Sequence, residues 1–98
     1  MRIGDKTREW TKFVQQWKKD NPPQDNGCYL CGICGKWCLA DEVTLDHIQS
    51  RSSSPQLVFS ETNIQPAHYS CNSWKGSRHI APVVDRQVYD FLRWMNSL

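Results

Sequence analysis

Cys31-Gly-Ile-Cys34 and His68-Tyr-Ser-Cys71 are two metal-ligand pairs with the same internal spacing. Three thiolates and one imidazole make a closed tetrahedral set suited to Zn²⁺, with no coordination position left for a substrate. Such a site is structural. Cys28-Tyr-Leu-Cys31 repeats the spacing one step earlier, so Cys28 is an alternative to Cys34 as the partner of Cys31. Chemistry must then come from side chains that the metal holds in place. Those are Asp46 and His47, between the two knuckles, with Asn63 and Asn72 beside the second.

The paired knuckles, the tripeptide Asp46-His47-Ile48, Asn63, and the run Cys71-Asn72-Ser73-Trp74-Lys75-Gly76 occur in an order that resembles the HNH nuclease family over roughly residues 28 to 78. The resemblance leads one to expect twelve residues from Cys34 to Asp46, which selects Cys31 and Cys34 over Cys28 and Cys31. It implies an α+β fold of the ββα-metal type, pinned by one structural Zn²⁺, in a metal-dependent endonuclease that cuts double-stranded DNA. By the same resemblance His47 is the general base, because an imidazole near its ordinary pKa of about 6.5 accepts a proton at neutral pH. Asp46 and Asn72 would hold a catalytic Mg²⁺ or Mn²⁺ through oxygen. Asn63 would brace the loop that orients His47. The chain departs from the pattern at Gln49, where proline is usual near the tripeptide, in a following loop without a glycine pair, and at His68 in place of cysteine.

Ninety-eight residues suffice for a single domain with one modest core, which a zinc site would help considerably. We expect an HNH unit over 1–98, with an N-terminal basic amphipathic helix in 1–24, a zinc-pinned core in 28–78 and a C-terminal helix in 82–98. Five cysteines in close-set pairs read as metal ligands before disulfides. No signal-like stretch follows Met1, and no apolar run suits a membrane span, so the expected setting is the cytoplasm of a bacterium or phage-infected host. The family resemblance points to a phage or mobile-element enzyme, and admits a homodimer or phage packaging machinery as partner.

The net charge of +2 conceals an asymmetry. Residues 1–20 hold six Lys or Arg against three acids, and 75–98 four against two, whereas 21–74 is net negative. Basic flanks around a carboxylate suit a nuclease that grips phosphates and holds a cation. The candidates for DNA contact are Arg51, Lys75, Arg78, Lys12, Lys18 and Lys19. An ordinary solvated surface is the plain alternative, and His79 is read as a solvated linker residue.

Elements must place these groups. Trp10, Phe13, Val14 and Trp17 fall at i, i+3, i+4 and i+7, predicting an amphipathic helix from Asp5 to Lys19 ended by Pro22-Pro23, with Lys6, Lys12, Lys18 and Lys19 on its other face. Residues 42–48 alternate as a strand. Neighbours on a regular strand point oppositely, so Asp46 and His47 serve one site only if the strand bends or ends there. Ser50 to Pro55 reads as a loop, with mobility expected. Leu57-Val58-Phe59 is expected to form or flank the second strand. A helix over 70–75 with Gly76 as its stop would turn Cys71 toward zinc and Asn72 elsewhere, with Lys75 on the Asn72 face and reaching a phosphate. Val84, Val88, Phe91, Leu92 and Met95 predict a last helix packed on Trp10 and Trp17. Cys38 reads as a small buried apolar residue.

Two other functions compete. A zinc-stabilised DNA- or protein-binding module needs the knuckles and the basic flanks but has no use for Asp46-His47 beside Asn72. A thiol redox protein would place its Cys-x-x-Cys after a strand in a βαβ pattern, which is absent here.

Overall fold

The structure, a computed structural model, describes residues 3–96, with side chains described over 8–95 except at positions 86 and 93. Lys6, read above onto the basic face of the first helix, lies outside the described side chains. The order is α1 (Ile3–Asp20), β1 (Cys28–Leu30), β2 (Trp37–Leu39), β3 (Val43–His47), β4 (Ile64–His68), α2 (Tyr69–Lys75) and α3 (Arg86–Asn96). Single 3₁₀ turns at Pro55–Leu57 and Glu61–Asn63 interrupt the β3–β4 connection. This is an α+β architecture.

Two antiparallel ribbons form the centre. β1 pairs with β2, with Tyr29 opposite Cys38, and the turn between them carries Cys31 and Cys34. β3 pairs with β4 so that Asp46 faces Gln65 and His47 faces Ile64 across the ladder. α2 continues directly from β4, giving the ββα unit that the family resemblance implied. Of the two roles expected for Leu57-Val58-Phe59, forming or flanking the second strand, the structure gives the flanking one. Leu57 closes a 3₁₀ turn begun at Pro55, because the proline ring fixes a turn-compatible φ, and the true partner strand starts at Ile64.

Trp17, Tyr29, Cys38, Val43, Leu45 and Ile64 form the buried core, and Trp10, Phe13, Val14 and Ala40 pack against it. The helical stripe of α1 therefore covers β3, as its period required. Burying an aromatic or aliphatic side chain contributes about 1.5–3 kcal/mol, so this stripe supplies much of what a short chain can collect. Gly76, at φ 56°, takes the α2 terminus out of the helix as expected.

α3 meets its expected partners only in part, reaching Trp17 but not Trp10. Its Tyr89 hydroxyl donates to the Leu30 carbonyl at 3.2 Å, and Tyr89, Asp90 and Leu92 border a small cavity of about 70 Å³ shared with Trp17. Trp10 instead stacks near Phe13, His47 and Phe59. Val88, Phe91 and Met95 face outward. Among the described residues no helix is long and apolar enough to cross a membrane.

Gly32 is a tight spot in the first knuckle. Its N–H donates to Pro66 O at 2.8 Å and its carbonyl accepts from Val83 N at 2.9 Å, so the backbone is held on both sides. A Cβ there would lie 2.0 Å from Gln65 Oε1 and 2.5 Å from Gln65 Cδ. Gln65 is itself buried and bonded to Asp46. Gly32→Ala should therefore lower stability by roughly 1–3 kcal/mol through overpacking, read as a reduced Tm. An unchanged Tm would mean that Gln65 yields freely.

Candidate metal centre and catalytic cleft

The β1–β2 turn and the start of α2 bring Cys31, Cys34, His68 and Cys71 together, with their ligand atoms all within 4.8 Å of one another. Cys34 Sγ and Cys71 Sγ stand 3.4 and 3.8 Å from His68 Nδ1. A tetrahedral ion with Zn–S near 2.3 Å and Zn–N near 2.0–2.1 Å has ligand–ligand edges of roughly 3.5–3.8 Å, so the cluster has the size and donor set of a structural zinc site. His68 Nε2 is 3.0 Å from the Trp37 carbonyl. A carbonyl only accepts, so Nε2 carries the hydrogen and Nδ1 offers its lone pair to the metal, the usual outer-shell arrangement for a ligating histidine. Burial pushes the Cys31 thiol up, but hydrogen bonds from the backbone of Cys34, His68 and Ile33 outweigh it and bring it down to about 7. Burial, joined by hydrogen bonding to Cys34, pushes Cys71 up to about 12. Cys28 is outside the cluster, its Sγ against Asn26 O, and Cys38 is core.

On the other side of β3 and α2 lies a cleft of about 430 Å³ whose walls include Asp46, His47, Arg51 and Asn72. β3 ends at His47, and it is this ending that lets two adjacent strand residues border one space. His47 Nε2 is 3.0 Å from Val58 O, which by the same acceptor argument places the hydrogen on Nε2 and the lone pair on Nδ1. Trp10 covers the imidazole, with ring centroids 4.9 Å apart. Burial lowers the His47 pKa below its ordinary 6.5, the Val58 carbonyl partly offsets this, and Arg51 lowers it further. At pH 7 the neutral ring is therefore favoured more than in a free histidine.

Asn72 Nδ2 donates to Thr44 Oγ1 at 3.2 Å and to Leu45 O at 3.3 Å. Its donor is spent on β3, leaving Oδ1 as the group it can offer a cation. Asp46 is only 3% exposed. Its Oδ2 accepts from Gln65 Nε2 at 2.9 Å, and its Oδ1 pairs with Lys75 Nζ at 3.2 Å. A carboxylate has about four lone-pair directions, so two partners leave it able to coordinate an ion. Two oxygen donors bordering the cleft suit a hard divalent cation, which takes oxygen ligands.

Asn63 is buried and ties both ends of the β3–β4 connection together. Its Oδ1 accepts from Gln49 N at 2.8 Å, and its Nδ2 donates to Gln49 O at 3.1 Å and Leu57 O at 3.4 Å. Those bonds fix the residues just past His47 and just before Val58, whose carbonyl holds the imidazole. The serine run is a turn tied by its own hydroxyls: Ser50 Oγ meets the hydroxyls of Ser52 and Ser53, and Ser54 Oγ donates to Gln49 Oε1. Arg51 is exposed at its tip, on the rim of the cleft.

Lys75 is a correction. It does share the Asn72 face of α2, but that face turns onto β3, so Lys75 is 1% exposed and bonded to Asp46 and to His47 O at 2.7 Å. It is not placed to grip a phosphate. Arg78 lies over the Trp74 ring at 4.4 Å and donates to Lys75 O and Trp74 O, closing the end of α2. Lys12, Lys18 and Lys19 are exposed along α1. Gln65 was missed entirely, and Trp10 was read only as core. The signal for Gln65 is its register opposite Asp46, visible once β4 is placed correctly.

No curated protein and no solved structure matches the chain. A family model described as HNH endonuclease matches residues 31–78, the stretch that holds both halves of the four-ligand cluster, the β3–β4–α2 unit and the cleft. Through that segment, the chain belongs to the HNH endonuclease family.

Proposed function

We propose that this protein is a metal-dependent DNA endonuclease that hydrolyses phosphodiester bonds, with His47 as general base and Asp46 and Asn72 as the ligands of Mg²⁺ or Mn²⁺. One observation carries this: an imidazole whose Nε2 stands 3.0 Å from Val58 O borders the same cleft as two oxygen donors. Nδ1 of His47 takes the proton from the attacking water, and the Val58 carbonyl strengthens as an acceptor partner when the ring becomes cationic. Asn63 holds Gln49 and Leu57 so that this carbonyl stays in place. The divalent ion, when bound, stabilises negative charge on the phosphate and on the leaving oxygen. Arg51, Arg78, Lys12, Lys18 and Lys19 contribute charge toward the DNA backbone, which positions the duplex without reading its sequence.

Purified protein should convert supercoiled plasmid to nicked or linear forms with Mg²⁺ or Mn²⁺ and leave it intact with chelator. Retained DNA binding without cleavage in either metal would favour the zinc-stabilised binding module. A second copy is needed for a concerted double-strand cut, since the described residues hold one such cleft.

The pH profile follows from the depressed His47 pKa. Protonation removes the base, so the acid limb of kcat/KM should lie below about 6.5, the ordinary histidine value. Folding linkage has the same direction. Between the folded-state value and 6.5 the unfolded chain binds the proton more readily, so the stability contributed by neutral His47 is present above 6.5 and declines as pH falls below it. A ¹H NMR titration of the His47 ring checks both, and a midpoint above 6.5 would contradict them.

A further inference from the structure

Lys75 and Asp46 form a buried ion pair inside the cleft wall, at 1% and 3% exposure. The ammonium also donates to the His47 carbonyl, so it is anchored at two points on the end of β3. Gln65 Nε2 occupies the other carboxylate oxygen. Asp46 is therefore held in one rotamer and already neutralised by an internal cation. A solvated surface lysine would do neither.

We propose that Lys75 is the resident counter-cation of Asp46: its ammonium shares the carboxylate with the divalent ion and so weakens the site's hold on that ion until DNA is present. This rests on the assignment of Asp46 and Asn72 as the ion's ligands. The formal charges support it. Asp46 and Lys75 cancel, Asn72 adds nothing, and Arg51 on the rim is positive. A divalent cation entering that site meets no net attraction, and a phosphate of the bound duplex supplies the missing negative charge. Metal and DNA binding are then reciprocally coupled, each raising the affinity for the other. Lys75 is a positioning residue in this scheme, acting through Asp46 and never on the reacting atoms.

Two measurements test it. In the wild-type protein, ¹⁵N NMR should show the Lys75 ammonium signal protected by burial without metal, and shifting in step with the Asn72 side-chain amide as Mg²⁺ is added. If Asn72 moves and Lys75 does not, the ion site stands and the shared-carboxylate proposal is overturned. If neither moves at millimolar Mg²⁺ with a non-cleavable duplex present, the ion site itself is wrong and the proposal goes with it. In Lys75→Met, Asp46 loses its internal partner, so Mn²⁺ should bind on the order of tenfold more tightly or better without DNA. The variant's Tm should rise with Mn²⁺ far more than the wild type's. Adding Asp46→Asn should abolish that extra rise. A Lys75→Met protein with the wild-type response to Mn²⁺ overturns the proposal, and because the response is read on the variant's own melt, a lower starting Tm does not obscure it.

Discussion

Stripping the metal from the Cys31–Cys34–His68–Cys71 cluster should unfold the β1–β2 ribbon and α2 together. The two knuckles come from segments more than thirty residues apart, and an ion held by all four ligands would link the β1–β2 turn to the first turn of α2. Structural zinc contributes about 10–16 kcal/mol in small peptides, comparable with or greater than the ~5–15 kcal/mol net stability of a domain. The remaining core, built on Trp17, Tyr29, Val43, Leu45 and Ile64, is too small to absorb such a loss. Cys34 is exposed, so a chelator has a route to the ion. Elemental analysis should give one zinc per chain, and a strong chelator should abolish the cooperative thermal transition. Cys71→Ser and Cys34→Ser should do the same, whereas Cys28→Ser should retain zinc. Zinc retained by Cys34→Ser and lost by Cys28→Ser would restore the earlier pairing of Cys28 with Cys31.

Local signals carried the sequence reading a long way. The 3.6-residue stripe from Trp10 to Trp17, the alternation into His47 and the Gly76 stop are written in adjacent residues, so α1, β3 and α2 were legible. Ligand spacing was equally explicit, since two pairs with the same separation leave few ways to close a tetrahedron. What failed needed long-range information. β4 contains Gln65, Pro66 and His68, which do not read as a strand by pattern, and it forms because β3 offers a ladder and the second knuckle must reach the first. Without the bounds of the second strand, the Asp46–Gln65 pair stays hidden. Lys75 failed for a related reason: helical spacing puts it on the Asn72 face, but spacing cannot say that this face is covered by β3. α3 was found, and of its two expected partners it approaches Trp17 and not Trp10, because an apolar stripe fits any apolar surface of the right size.

The inward turn of Lys75 also changes what an acidic residue in this cleft means. The Lys75 ammonium, at 3.2 Å, offsets the cost of burying the Asp46 carboxylate there. Gln65 adds a donor to the second oxygen and, through its contact with Gly32, connects the carboxylate to the zinc knuckle. The structural metal and the cleft are thus adjacent layers of one packed unit. Loss of zinc should therefore displace Asp46 as well as unfold α2.

His47→Ala should abolish cleavage while leaving zinc content and folding nearly intact. Among the described residues the imidazole meets the Val58 carbonyl and the face of Trp10, and the braces on that loop come from Asn63. Removing a general base typically lowers the rate by about 10²–10⁴-fold, which suffices to lose a plasmid nick under ordinary assay conditions. Asp46→Ala should be inactive for a different reason. It removes the proposed anionic ligand and leaves the Lys75 ammonium buried without its counter-ion, so it should also lower Tm, and only partly respond to excess Mn²⁺. His47→Ala should gain nothing from added metal, because its defect lies in proton transfer. The pair of variants therefore separates base from ligand by two readouts, metal response and melting temperature. Wild-type cleavage by His47→Ala would remove the imidazole from the chemistry and leave the cleft as a binding surface.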